Sequence, residues 1–196
     1  MTQTVIRHRF FSRGCGLLAV AIVSLSTPVS ADEFALSLTD DSAKAQLTTL
    51  NHNDELAFGV GYTYHTGARH IANLDFHAQG RTAIGNLPAT AGVGMRAMYF
   101  YDSPLEGGGV GLGGYTRLNI PQVPGLSVGG SLHYSPTVLS YGDSDGMWNF
   151  ESTVNYRVIR NAEFFIGYRY VATELEERSR DLRLEEGFLA GLRMYF

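Results

Sequence analysis

From Trp148 to Val158 the side chains alternate without a break. Trp148, Phe150, Ser152, Val154, Tyr156 and Val158 fall on one parity, and Asn149, Glu151, Thr153, Asn155 and Arg157 on the other. A period of two belongs to an extended strand, because successive Cβ atoms point to opposite faces of a sheet. The pattern recurs. Phe164, Ile166, Tyr168 and Tyr170 alternate with Phe165, Gly167, Arg169 and Val171. Phe188, Ala190, Leu192, Met194 and Phe196 alternate with Leu189, Gly191, Arg193 and Tyr195. Upstream, Leu56–Tyr64, Ile71–Ala78, Ala91–Tyr101, Val110–Asn119 and Leu126–Tyr134 carry it, after two weaker segments, Phe34–Thr39 and Ala43–Leu50. That reading gives ten strands in a chain of 196 residues and no amphipathic helix.

Two architectures use such strands. A soluble sandwich turns its apolar faces inward, whereas a membrane barrel turns them to lipid and fills its interior with polar groups. The polar faces here carry Asp75, Arg96, Arg117, Glu151, Arg157, Arg169 and Arg193, interleaved with Gly59, Gly61, Gly92, Gly94, Gly111, Gly113 and Gly129. Glycine weakens a solvated sheet surface, but inside a narrow barrel it leaves room for long arginines and permits tight curvature. Strands of this length also suit a tilted crossing of the bilayer core. The fold class is therefore all-β, a transmembrane antiparallel β-barrel of about ten strands, with eight or twelve as the neighbouring counts.

The first residues read as an export leader. Arg7, His8, Arg9 and Arg13 make a basic start, Gly16–Leu25 is a short apolar core, and Val29-Ser30-Ala31 ends it with small residues. This predicts a signal peptide over residues 1–31, cleaved after Ala31, and a barrel domain over 32–196. The apolar stretch follows Cys15 rather than preceding it, which argues against a lipid anchor there. Removing the leader leaves no cysteine and 12 basic against 19 acidic residues, a net charge of −7. That balance and the exported compartment speak against nucleic-acid binding.

On a barrel whose N-terminus starts at the inner rim, the aromatic residues fall into two belts. Tyr62, Tyr64, Tyr99, Tyr101, Tyr134, Trp148, Tyr168 and Tyr170 sit near the outer rim, and Phe34, Tyr156, Phe164 and Phe196 near the inner one. Rings with a greasy body and a polar tip favour those interfaces. Ile120–Pro124 and Ile159–Asn161 read as short inner turns, and Tyr101–Gly109, Ser135–Gly146 and Glu174–Arg183 as longer external loops. Arg81–Thr90 reads as a long inner loop and Asp40–Ser42 as a short external turn.

The terminal stretch Gly191-Leu192-Arg193-Met194-Tyr195-Phe196 resembles the signal read by the outer-membrane barrel assembly machinery, with Gly191, Met194 and the terminal Phe196 carrying the likeness. Tyr134-Ser135-Pro136 and Gly167-Tyr168-Arg169-Tyr170 are similar to the YfaZ family of Gram-negative outer-membrane proteins, best over Gly125–Phe196. The resemblance implies an outer-membrane location and no settled biochemical activity. The partners expected are outer-membrane lipid and lipopolysaccharide, with the assembly machinery during biogenesis. No cofactor is expected.

Four chemistries compete for the barrel. His133 and Ser135 share a strand face and Glu151 lies one strand away, a Ser-His-Glu set of the kind a lipid A-modifying hydrolase would need. Leu132 and Tyr134 are apolar, however, so the set is expected to face the lumen, away from acyl chains. An outer-membrane protease would need paired acid and histidine at the rim, and Asp102, Glu106, Asp143, Asp145, Glu174 and His65 show no such pairing. Asp143-Ser144-Asp145-Gly146 with Glu151 misses calcium-loop spacing, and His52, His65, His70 and His77 show no metal-ligand spacing. The lumen arginines Arg96, Arg117, Arg157, Arg169 and Arg193 are expected to pair with Glu151, Asp75, Glu163 or carbonyls, since unpaired buried charge is expensive. The leading expectation is thus a non-enzymatic barrel with an envelope-structural or surface-interaction role. A narrow porin-like channel that favours anions is the alternative.

Overall fold

Alternation in sequence becomes a ladder in space. The computed structural model describes residues 32–175 and 178–196, so the expected leader lies outside the described residues. Strands β1 (Glu33–Leu38), β2 (Ser42–Leu50), β3 (Leu56–His65), β4 (Arg69–Ile84), β5 (Leu87–Asp102), β6 (Leu105–Asn119) and β7 (Leu126–Ser135) run up and down in order. A 3-10 turn (Thr137–Leu139) and a three-residue strand β8 (Ser140–Gly142) follow, then β9 (Ser144–Ile159), β10 (Ala162–Leu175) and β11 (Arg178–Tyr195). Each long strand pairs antiparallel with its neighbours, and β1 pairs with β11 while β5 pairs with β6, which closes a ten-stranded barrel. Closure removes every free sheet edge along the paired region.

The two faces are sorted opposite to a soluble protein. Outward-facing Val93 is 70% exposed, Ile166 64% and Leu74 63%, while inward-facing Lys44, Asn73, Glu163 and Arg169 are buried. Apolar side chains outside and charges inside are stable only where the outside is hydrocarbon.

Three segments expected to be loops are strand instead. Arg81–Thr90 continues β4 and β5 around a two-residue turn at Gly85-Asn86. Gly85 has φ +61°, a conformation that glycine adopts without strain and that suits a tight hairpin. Tyr101–Gly109 is a tight hairpin turning at Ser103-Pro104, and most of Glu174–Arg183 belongs to β10 and β11. Ser135–Gly146 is partly loop, but β8 within it pairs back onto Gly107–Gly109 of β6. Asp40–Ser42 is the short turn expected.

At the end of the barrel away from the chain termini, the inward face changes character. Ile71, Met98, Phe100, Met147, Val171 and Leu184 are all buried and pack into one cluster across the lumen. A bulge between β10 and β11 at Val171/Ala172 puts both Leu184 and Glu185 inside. Keeping a Leu or Phe side chain from water is worth about 1.5–3 kcal/mol, so this mouth favours closure over hydration. Arg69 ties the closure down. Its Nε donates to Asp102 at 2.9 Å and its Nη1 donates to the Leu184 carbonyl at 2.6 Å, reaching from β4 across to β11.

Candidate functional site

Below the apolar layer the lumen is polar, and its arginines are held by carboxylates from neighbouring strands or, for Arg117 on β6, from β10 across the lumen. Arg96 and Asp75 stand opposite each other in the β4–β5 register, and Arg96 donates from Nε to Asp75 Oδ1 at 2.6 Å and from Nη2 to Oδ2 at 3.2 Å. Asp75 also accepts from Gln46 and Asn73, each at 3.1 Å. Arg169 lies across β10–β9 from Glu151, donating to it at 2.7 Å, to Glu185 at 3.0 Å and to Ser37 at 2.9 Å. Nearer the termini, Glu163 receives Arg193 at 2.5 Å and Arg117 at 3.2 Å, while Arg193 also meets Glu33 at 2.7 Å. Two parallel donors onto one carboxylate are the geometry a guanidinium fork favours.

One arginine departs from the expectation. Arg157 is exposed at the terminal end and lies over the Tyr195 ring, 5.4 Å from its centroid, with no carboxylate partner among the described residues. Its parity points inward, but it sits where the strand leaves the lumen, so an aromatic face and water replace a buried acid. Glu33 and Glu185 are the acids that sequence reasoning missed. Both carry inward positions that only the closure of β1 on β11 and the bulge in β11 reveal.

His133, Ser135 and Glu151 face the lumen as expected but are not brought together. His133 Nε2 lies 2.7 Å from His77 Nε2, one ring donating and the other accepting. The row His77, Gly94, Gly113, His133 runs across four adjacent strands, and the two glycines let the imidazoles meet over the bare wall. The Ser135 hydroxyl bonds Ser140 Oγ at 3.2 Å, and Glu151 is engaged by Arg169. No proton relay links the three. Asp143 caps the Glu106 amide at 2.9 Å, so the Asp143–Gly146 turn and Glu151 do not converge either.

The belt residues lie on the outer surface. Tyr62, Tyr64, Tyr99, Tyr101, Tyr134 and Trp148 are exposed at the far end, with Tyr168 and Tyr170 half-buried. Tyr134 and Trp148 pair across β7 and β9 with ring centroids 4.4 Å apart, and Tyr62 OH meets His70 Nδ1 at 2.6 Å. At the terminal end Tyr156, Phe164 and Phe196 are exposed and Phe34 is half-buried. In the last strand, Gly191 pairs with Ser37 and Met194 with Phe34.

Between the salt-bridged layers lies a cavity of about 480 Å³. It runs from Asp32, Leu50 and Phe196 at the terminal end to Lys44, Arg96 and Arg169 beneath the apolar layer. Beyond Lys44, Arg96 and Arg169, at the end away from the termini, stands the apolar cluster of Ile71, Met98, Phe100, Met147, Val171 and Leu184.

The family model described as YfaZ precursor matches residues 13–196. The chain belongs to the YfaZ family. It is an outer-membrane β-barrel, and the family match begins at residue 13, inside the expected leader. Among solved structures it is similar to a KdgM porin, with a TM-score of 0.43 and 10% identity, covering 84% of this chain and 98% of that one. A KdgM porin in complex with disordered oligogalacturonate matches with a TM-score of 0.45 and 9% identity over 84% and 98% of the respective chains. No curated protein matches the chain.

Proposed function

We propose that this YfaZ-family barrel is a non-enzymatic, non-conducting component of the outer membrane, with an envelope-structural or surface-interaction role. One observation carries the reading: the far mouth is filled by Ile71, Phe100, Val171 and Leu184, each at most 2% exposed, above the ion-pair layer. In the proposed orientation the chain termini face the periplasm and the closed mouth faces outward. The leader is removed after Ala31, the outer aromatic rows meet lipopolysaccharide, and Gly191, Met194 and Phe196 are read by the assembly machinery. The absence of a hydrogen-bonded chain through Ser135, His133 and Glu151 supports a barrel without hydrolase chemistry.

Planar-bilayer recording of the purified protein tests the proposal. Wild type is expected to show no openings, and a Phe100→Ala/Leu184→Ala double variant to show discrete ones, because the apolar layer loses its two largest central side chains. Steady wild-type conductance would instead favour a narrow channel.

A further inference from the structure

The chain has fourteen arginines and a single lysine, Lys44. Fourteen choices of guanidinium against one of ammonium direct attention to where that ammonium goes. Lys44 sits on β2, faces the lumen, is 9% exposed and lines the ceiling of the chamber. It makes no hydrogen bond or ion pair among the described residues, whereas its neighbours Arg96 and Arg169 are each held by carboxylates at 2.6–3.0 Å. A buried ammonium without a partner is costly to maintain.

The arginines around the chamber are taken up by acids: Arg96 by Asp75, Arg169 by Glu151 and Glu185, and Arg117 and Arg193 by Glu163, with Glu33 also on Arg193. Among the described residues, Lys44 is left as the one lining cation with three free donors. The same lining includes apolar Ala35, Ala57 and Phe165 among polar Ser37, Gln46 and Thr48.

We infer that the chamber is a binding site for a small organic monocarboxylate, entered from the terminal end, whose carboxylate meets Lys44 and whose apolar or aromatic body lies against Ala35, Ala57 and Phe165. A phosphate dianion fits less well, because the forked guanidiniums that favour it are already engaged. A neutral polyol would leave the ammonium without a charged partner. The chamber volume lies within the range of pockets that enclose small ligands.

The sole lysine makes the test direct. The full mature protein in lipid nanodiscs is treated with a small water-soluble amine-acylating reagent, and modification at Lys44 and at the N-terminal amine is followed by mass spectrometry. Benzoate is expected to slow acylation of Lys44 and leave the N-terminal amine unchanged, while isosteric, neutral benzamide leaves both unchanged. Calorimetric titration with benzoate is expected to show affinity falling about tenfold or more in Lys44→Gln, the size of one charge-assisted hydrogen bond. Lys44→Arg is the folded control if the glutamine variant fails to shift on heating in a gel, and it is expected to retain binding. Equal protection by benzoate and benzamide, an unreactive Lys44, or no binding to wild type would each overturn the inference. None of these readouts depends on whether the barrel conducts.

Discussion

Glu163 is the hinge of the lower charge layer, and neutralising it tests whether the lumen network holds the barrel together. Its side chain is 2% exposed and receives Arg193 at 2.5 Å and Arg117 at 3.2 Å. Glu163→Gln preserves shape but removes the charge shared by two guanidiniums. Breaking a buried ion pair from one side typically costs about 3–5 kcal/mol. Two features reduce that here: Arg193 keeps Glu33 at 2.7 Å, and Arg117 is a quarter exposed and keeps the Tyr195 hydroxyl at 2.7 Å. The expected loss is therefore about 2–3 kcal/mol. Urea unfolding in lipid vesicles measures it, followed by the fluorescence of the single tryptophan, Trp148, which is 42% exposed on the outer surface. Adding Arg117→Met should recover part of the loss, because the stranded guanidinium goes with its partner. A Glu163→Gln variant within about 0.5 kcal/mol of wild type, the range of ordinary surface changes, would mean that lumen water already solvates these charges. The network would then not be structural.

Two further outcomes follow from local geometry. A Cβ at Gly113 would lie 2.0 Å from the Leu132 carbonyl oxygen, whereas one at Gly80 meets nothing within 4 Å. Gly113→Ala should therefore abolish or sharply reduce the heat-modifiable gel shift of the folded barrel while Gly80→Ala keeps it, and equal folding of the two would refute the tight β6–β7 approach. Mass spectrometry of protein isolated from membranes should find Asp32 as the first residue, its carboxylate bonded to the Leu50 amide at 2.5 Å; a longer N-terminus would refute cleavage after Ala31.

All ten barrel strands are legible in the sequence wherever they cross hydrocarbon, because there one face must be apolar and the other is free to be polar. Val93, Leu74 and Ile166 carry that constraint, and the alternation around each of them is clean. Strand ends are a different matter. Beyond the hydrocarbon the outward face of Arg81–Ile84 is released from lipid, so the period fades while the ladder to Leu87–Thr90 continues. Arg81–Thr90 accordingly reads as loop in sequence and is hairpin in space. The apolar closure left a trace as a parity violation, since Met98, Phe100 and Val171 are greasy residues on an otherwise polar face. Only the strand register shows that they converge with Ile71, Met147 and Leu184. Leu184 itself is inaccessible to parity, because the β11 bulge shifts it inward beside Glu185. The pairing of Arg96, Arg117, Arg169 and Arg193 with carboxylates follows from the cost of buried charge, but Arg157 shows that parity without depth misplaces a side chain.

The account rests on apolar faces meeting lipid and polar faces meeting an enclosed aqueous lumen, and adjacent residues at one depth test it best. The mature chain expected from Asp32 onward has no cysteine, so single cysteines at Val154, 44% exposed, and Thr153, 8% exposed, accept spin labels without background. In lipid vesicles the label at Val154 should collide readily with dissolved oxygen, and the label at Thr153 should favour a water-soluble nickel chelate. The reverse order would turn the barrel inside out and contradict the lumen network, the closed mouth and the chamber together.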